Sequence, residues 1–198
     1  MNSTVKILGI AGSLRRESYN RSALKAALDL TPADARLEPF ELDGIPIFNQ
    51  DHEQDPPPAV VEFKRRIRDA DAILFVTPEY NYSIPGVLKN AIDWASRPYG
   101  DNAWDGKATA VMGASPGVIG TARAQYHLRQ TFVFLNMFAV NQPEVMIGKA
   151  HERIDQAGNL TDETTKALIR QLLANLVDLV RLRQSYIAHR ARSDGTAA

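Results

Sequence analysis

Two stretches, VKILGIA (Val5–Ala11) and AILFV (Ala72–Val76), are apolar at almost every position. A strand with one face in water alternates apolar and polar residues. A run with almost no polar position is buried on both faces, as in a parallel sheet covered by helices on either side. Parallel strands also need long crossovers, and the intervening sequence supplies them. Asn20 to Leu30 reads as a helix and Arg36–Leu42 as a second strand. The segment DGIPIFNQDHEQDPPP is too rich in Pro and Asp for regular structure. Pro58 to Asp69 is a helix with Val60, Phe63, Ile67 and Ala70 on one stripe, and Ala72–Thr77 is the third strand. Pro85–Ser96 is a helix with Pro in its first turn, where a missing N–H costs nothing. Lys107–Gly113 is a fourth strand, Thr121–Met137 a long helix, and Ala139–Ile147 contains a fifth strand. Thr161–Ile187 is the last helix, capped by Thr161 or Asp162.

Alternating strands and helices predict a three-layer α/β sandwich around a five-stranded, doubly wound parallel sheet. In such sheets a ligand binds beyond the carboxyl ends of the strands, where the strand order switches. For the order 2-1-3-4-5 the switch lies between the first and third strands. The loops that follow them are Gly12–Asn20 and Pro78–Ser83. Residues 1–190 are expected to form one domain and 191–198 a disordered tail.

The stretch that holds the first of these loops, GIAGSLRRESYNRSA, carries three Arg, three Ser and an Asn. It has too few glycines for a dinucleotide fingerprint and no Gly-Lys-Ser/Thr for a P-loop. Ser13, Arg15, Ser18 and Asn20 remain around a helix N-terminus, and hydroxyls, an amide, N–H groups and a guanidinium suit a terminal phosphate. A phosphomonoester carries about −1.5 to −2 charges against about +0.5 from a helix N-terminus, so Arg15 supplies the balance. The plainer reading is Ser18 as a helix cap with Arg15 and Arg16 as solvated charges. In the second loop, TPEYNYSIPG, Pro78 stiffens the exit from the sheet. Glu79, Tyr80, Asn81 and Tyr82 can then offer N–H groups and an aromatic wall to a flat heterocycle; the alternative is an ordinary Pro-bracketed turn. The third loop, GASPGVIG, is small enough to pass under a ring edge or to be a simple connection.

Composition removes other classes. Lys plus Arg and Asp plus Glu are 23 each, and a neutral chain is a poor match for nucleic acid. There is no Cys, which excludes disulfides, thiolate metal sites, Cys nucleophiles and Fe–S clusters. His52, His127, His151 and His189 are scattered without metal or triad spacing. No apolar run approaches the ~18 residues of a membrane span. MNSTVKILGI has no basic region ahead of its strand, so no signal peptide is expected. Trp94 reads as a packing residue. Val87, Leu88, Ala91, Ile92 and Ala95 form an apolar stripe for the core or a subunit contact. TFVFLNMFAV (Thr131–Val140) is more apolar than a one-sided helix needs, and Arg123, Tyr126 and Glu144 are either a polar subunit contact or surface charge.

GSLRRESYN, ILFVTPEYNYSIPGVLKNAIDW and ASPG together resemble the NADPH-dependent FMN reductase family, of flavodoxin-like fold, and within it the soluble bacterial quinone and chromate reductases. The resemblance runs from Val5 to about Ile147. It implies FMN as cofactor, with Ser13, Leu14, Arg15, Ser18, Tyr19 and Asn20 at its phosphate. Pro78, Glu79, Tyr80, Asn81 and Tyr82 would line its ring, and Ser115 and Gly117 would approach the other side. It also implies NADPH or NADH as co-substrate, a cytoplasmic homodimer or homotetramer, and ping-pong hydride transfer through the flavin N5, with no catalytic side chain and no metal. Quinones, chromate, azo or nitro compounds and free flavin are the implied acceptors. The competing readings are a flavodoxin-type electron carrier and a flavin reductase that feeds reduced FMN to a monooxygenase.

Overall fold

The structure, a computed structural model, describes residues 3–195. In chain order the elements are β1 (Val5–Ala11), α1 (Tyr19–Asp29), β2 (Ala35–Phe40), a 3-10 turn (Gln50–His52), α2 (Pro58–Asp69), β3 (Ala72–Val76) and α3 (Gly86–Ala95). Then come β4 (Ala108–Ala114), α4 (Ala122–Phe134), β5 (Phe138–Ala139), β6 (Val145–Ile147), α5 (Ala150–Arg153) and α6 (Glu163–Gly195). All strand pairs are parallel and the order is β2-β1-β3-β4-β5. This is the flavodoxin-like arrangement expected.

The side-chain alternation of β1 explains its lack of polar positions. Val5, Ile7 and Ala11 join the core beneath α1 and α6, with Leu24, Leu172 and Leu176. Leu8 and Ile10 join the opposite core with Phe63, Leu88 and Leu128 from α2, α3 and α4. Both sheet faces are therefore dry, which an amphipathic strand could not tolerate. Trp104 anchors the second core, 5.7 Å from the Phe63 ring centroid and 5.6 Å from that of Phe75. Trp94 is buried and donates its Nε1–H to Pro46 O at 2.8 Å, pinning the Pro-rich loop to α3. Leu88, Ala91, Ile92 and Ala95 are all core.

Two expectations change. The fifth strand is split: β5 pairs with Ala108–Thr109 and β6 with Met112–Ala114 of β4. Between them lies Pro143, which has no N–H for the ladder. The stretch from 191, expected as a tail without regular structure, continues α6 through Gly195. Ala191 and Arg192 are good helix formers, and a long helix extends at little cost once nucleated. Residues 196–198 lie outside the described residues. Among the described residues, no helix is long and apolar enough to cross a membrane.

Candidate active site

The three loops meet at the carboxyl ends of β1, β3 and β4. Gly12 N–H donates to Val76 O at 2.9 Å, and a Cβ on Gly12 would sit 3.3 Å from Pro78 Cδ, so the first two loops touch. Gly113, near the end of β4, admits no side chain at all. A Cβ there would fall 2.1 Å from Thr121 Oγ1 and 2.2 Å from Thr77 O.

The first loop is a nest of donors. Ser13 and Ser18 are both 4% exposed. Ser13 Oγ accepts from Arg15 N at 3.3 Å, and Ser18 Oγ caps α1 by accepting from Asn20 N at 3.2 Å. Neither hydroxyl donates to any acceptor among the described residues. The N–H groups of Ser13, Leu14 and Glu17 also have no acceptor among the described residues. The Arg15 guanidinium is in no ion pair and lies 5.7 Å from the Tyr19 ring centroid. Buried hydroxyls rarely leave their protons unused. A set of donors with lone pairs spent and protons free matches the oxygens of a phosphate, so the donor chemistry fits the FMN tail.

Asn20 has a different task. Its Nδ2 donates to Ala114 O at 2.9 Å and its Oδ1 accepts from Ala114 N at 2.8 Å. The side chain is buried and brackets α1 to the end of β4. Leu14 is about half exposed on the crest of the loop, and Tyr19 is half-buried beside Arg15.

The second loop is a two-residue hairpin. Tyr80 N donates to Ser83 O at 3.2 Å and Ser83 N to Tyr80 O at 3.0 Å. Between them Asn81 has φ 50° and Tyr82 φ 64°, the left-handed pair that a type I′ turn demands. Asn tolerates this region; a bulky Tyr is strained there, and its surroundings hold it. The Arg123 guanidinium lies over the Tyr82 ring, 3.6 Å from the centroid, and Arg123 Nε donates to Glu79 Oε1 at 2.7 Å. His127 Nδ1 is 3.0 Å from Ser83 Oγ. Tyr80 and Tyr82 are exposed. The N–H groups of Glu79, Asn81 and Tyr82 and the Asn81 amide find no acceptor among the described residues. Glu79 itself faces inward, and its Oε2 accepts from Arg123 N at 2.9 Å and Ala124 N at 3.1 Å. It caps the N-terminus of α4 from another loop.

The third loop is tied at several points. Ser115 Oγ donates to Gly120 O at 2.6 Å and accepts from Gly117 N at 3.2 Å, while Gly117 O accepts from Lys149 N at 2.9 Å. It leaves the end of β4 as a tight, small-residue rim. Arg123 and His127 are the site neighbours that the loop motifs did not reveal, because each is 44 residues from its hairpin partner. Tyr126 and Glu144 pair within the chain, Oη to Oε1 at 2.8 Å. Among the described residues no cluster of three or more His, Asp or Glu is placed to hold a metal ion.

The model of the NADPH-dependent FMN reductase family matches residues 5–152. The chain is 52% identical over 182 residues to an NAD(P)H-dependent FMN reductase of Pseudomonas aeruginosa, covering 91% of this chain and 98% of that one. It is 44% identical over 180 residues to a 2-hydroxy-1,4-benzoquinone reductase of Burkholderia sp., covering 91% and 98%. Among solved structures it resembles the flavoenzyme NAD(P)H:(acceptor) oxidoreductase of Paracoccus denitrificans, with TM-score 0.83 and 38% identity over 90% of this chain and 98% of that one.

Proposed function

The chain belongs to the NADPH-dependent FMN reductase family, and on that premise we propose that it is an FMN-dependent NAD(P)H oxidoreductase reducing quinones and related acceptors. The observation that carries this reading is the pair of buried hydroxyls, Ser13 and Ser18, whose protons have no acceptor among the described residues. With the free N–H groups and Arg15 they hold the FMN phosphate, and Leu14 and Tyr19 flank it. Asn20 acts from behind, keeping the helix N-terminus in line with β4. Pro78, Glu79, Tyr80, Asn81 and Tyr82 line one side of the ring, and Ser115 and Gly117 border the other. When bound, FMN supplies the two-electron exchange between a reduced nicotinamide and an acceptor. The hairpin N–H groups and the Asn81 amide offer hydrogen bonds to negative charge at the ring edge. Arg123 and Glu79 hold the hairpin in its strained form, so that these donors are aimed before any reactant arrives. No side chain is assigned as a proton donor or base. NADPH or NADH and the acceptor use the same exposed face in turn, which gives ping-pong kinetics.

The enzyme works as a homodimer or homotetramer in the cytoplasm. In support of assembly, Val133 and Phe134 at the end of α4 are 84% and 78% exposed, an apolar step that a second copy would cover. Chromate, azo and nitro compounds fall within the acceptor range of an open ring face.

The test is direct. The purified protein should be yellow and release FMN on denaturation, and it should oxidise NADPH when benzoquinone is the sole acceptor. A bare electron carrier would leave that NADPH untouched. A colourless protein that takes up no FMN would overturn the proposal.

A further inference from the structure

Beside the phosphate loop, on the side away from the hairpin, α1 and the segment after α5 enclose a groove of about 570 Å³. That is the size of a small-molecule site. Its charge is unbalanced. Arg15, Arg16, Arg21 and Lys25 line it against only Glu17 and Asp155. Arg21 is paired with Glu41, outside the groove. Asp155 stays charged: its two carboxylate oxygens accept from Asn159 N at 2.8 Å and Asn159 Nδ2 at 3.1 Å. Those bonds hold its carboxyl below the usual carboxylate range. Among the described residues, no ion pair reaches Arg15 or Arg16.

The far wall is preformed. Ile154 and Leu160 close a short antiparallel bridge. Lys25 Nζ donates to Asn159 Oδ1 at 2.9 Å, tying this bridge to α1, and lies within electrostatic reach of Asp155. Gly158 sits at φ +75°, and a Cβ there would meet Ser22 Oγ at 3.1 Å, so the wall is pressed against the helix. Tyr19 and Ile154 add a flat ring and an apolar side chain to the lining. The groove also shares Arg15 and Tyr19 with the phosphate loop. It therefore starts where the cofactor tail ends.

We propose that this groove seats the phosphorylated adenosine of a dinucleotide. The phosphate takes the unpaired guanidinium of Arg16 and the Lys25 ammonium, with Arg15 at the shared rim. The base takes the surface of Tyr19 and Ile154. Two molecules carry this chemistry: NADPH, through its 2′-phosphoadenosine, and FAD, through its adenylate half. The inference rests on the function proposed above, because it presumes that a flavin phosphate occupies the neighbouring loop.

The experiment titrates FMN-loaded protein with 2′,5′-ADP and with AMP by calorimetry, for the wild type and Arg16→Ala. Arg16 is exposed and supports nothing, so folding is not at stake; circular dichroism confirms it. Saturable binding of 2′,5′-ADP or AMP is expected, weakened by the order of tenfold in Arg16→Ala, as for one lost charge-assisted bond. Steady-state kinetics and flavin exchange then separate the sources. With NADPH as the source, the variant raises KM for NADPH about tenfold, at constant kcat, and leaves KM for NADH unmoved. With FAD as the source, the variant weakens FAD relative to FMN. FMN-loaded protein that binds neither nucleotide, or binds both equally well in Arg16→Ala, overturns the groove proposal while leaving the proposed function standing. Failure to load FMN at all overturns both.

Discussion

Ser13 and Ser18 show how a residue can be read twice. Each oxygen accepts a main-chain N–H two residues on, which is ordinary local chemistry for Ser in a turn or cap. The proposed phosphate contact uses the proton left over. Removing either hydroxyl should weaken FMN by about 1.5–3 kcal/mol, the range for hydrogen bonds to charged groups. Fluorescence titration of the apoprotein measures this. Ser18→Ala should also lose about 1 kcal/mol of folding stability as an N-cap, whereas Ser13→Ala should not. Wild-type FMN affinity in both variants would place the phosphate elsewhere. Glu79 is the opposite case, a residue whose loop suggests cofactor contact and whose side chain turns inward to three N–H donors. Glu79→Ala should cost about 2 kcal/mol of stability, since it leaves the α4 N-terminus uncapped and Arg123 unpaired. A lowered urea midpoint at unchanged m-value is the expected readout.

At the scale of elements, caps decide where helices begin and what they carry. Asp162 caps α6, accepting from Thr165 N at 2.8 Å and from the Thr165 hydroxyl. The hydroxyl bond first, then the main-chain bond, lower its carboxyl from the ordinary 3.8. A carboxylate stabilised in the fold contributes above its unfolded pKa, and loses that contribution as pH falls through the lower folded value. Asp162→Asn should therefore be less stable than wild type at neutral pH, and the gap should close in acid. Urea unfolding between about pH 6 and about pH 2 tests the sign; a gap that persists in acid would refute the cap's electrostatic role. At the other end of the fold, α4 stops at Phe134 because Asn136 adopts φ 56°, a left-handed residue that ends helices. The helix therefore ends short of Met137, and Val133 and Phe134 in its last turn are exposed.

For the molecule as a whole, the doubly wound sheet brings the loops after β1, β3 and β4 together where the strand order switches. The assembly proposed above would use the exposed pair at the end of α4, Val133 and Phe134. Phe134→Glu should shift a dimer or tetramer to a smaller species in light scattering while FMN stays bound. An unchanged mass would exclude that face as the contact. The thermal midpoint should rise with added FMN, since a ligand at about 100 times its Kd stabilises by about 2.7 kcal/mol.

Periodicity and turn chemistry marked the buried strands, the helices between them and the donor-rich loop after β1, because continuous apolar runs and a polar turn are local in the chain, while the strand order came with the family resemblance. Pro58–Asp69 was legible to the residue, since a Pro start and a single apolar stripe mark its limits. The tertiary structure alone decided the partners of Glu79, Asn20 and Arg123. Asn20 meets Ala114 across 94 residues and Glu79 meets Arg123 across 44, and no local pattern encodes which distant donor will face a given acceptor. The split of the fifth strand and the groove beside α1 belong to the same class. They arise from how segments far apart in sequence pack once the sheet has formed.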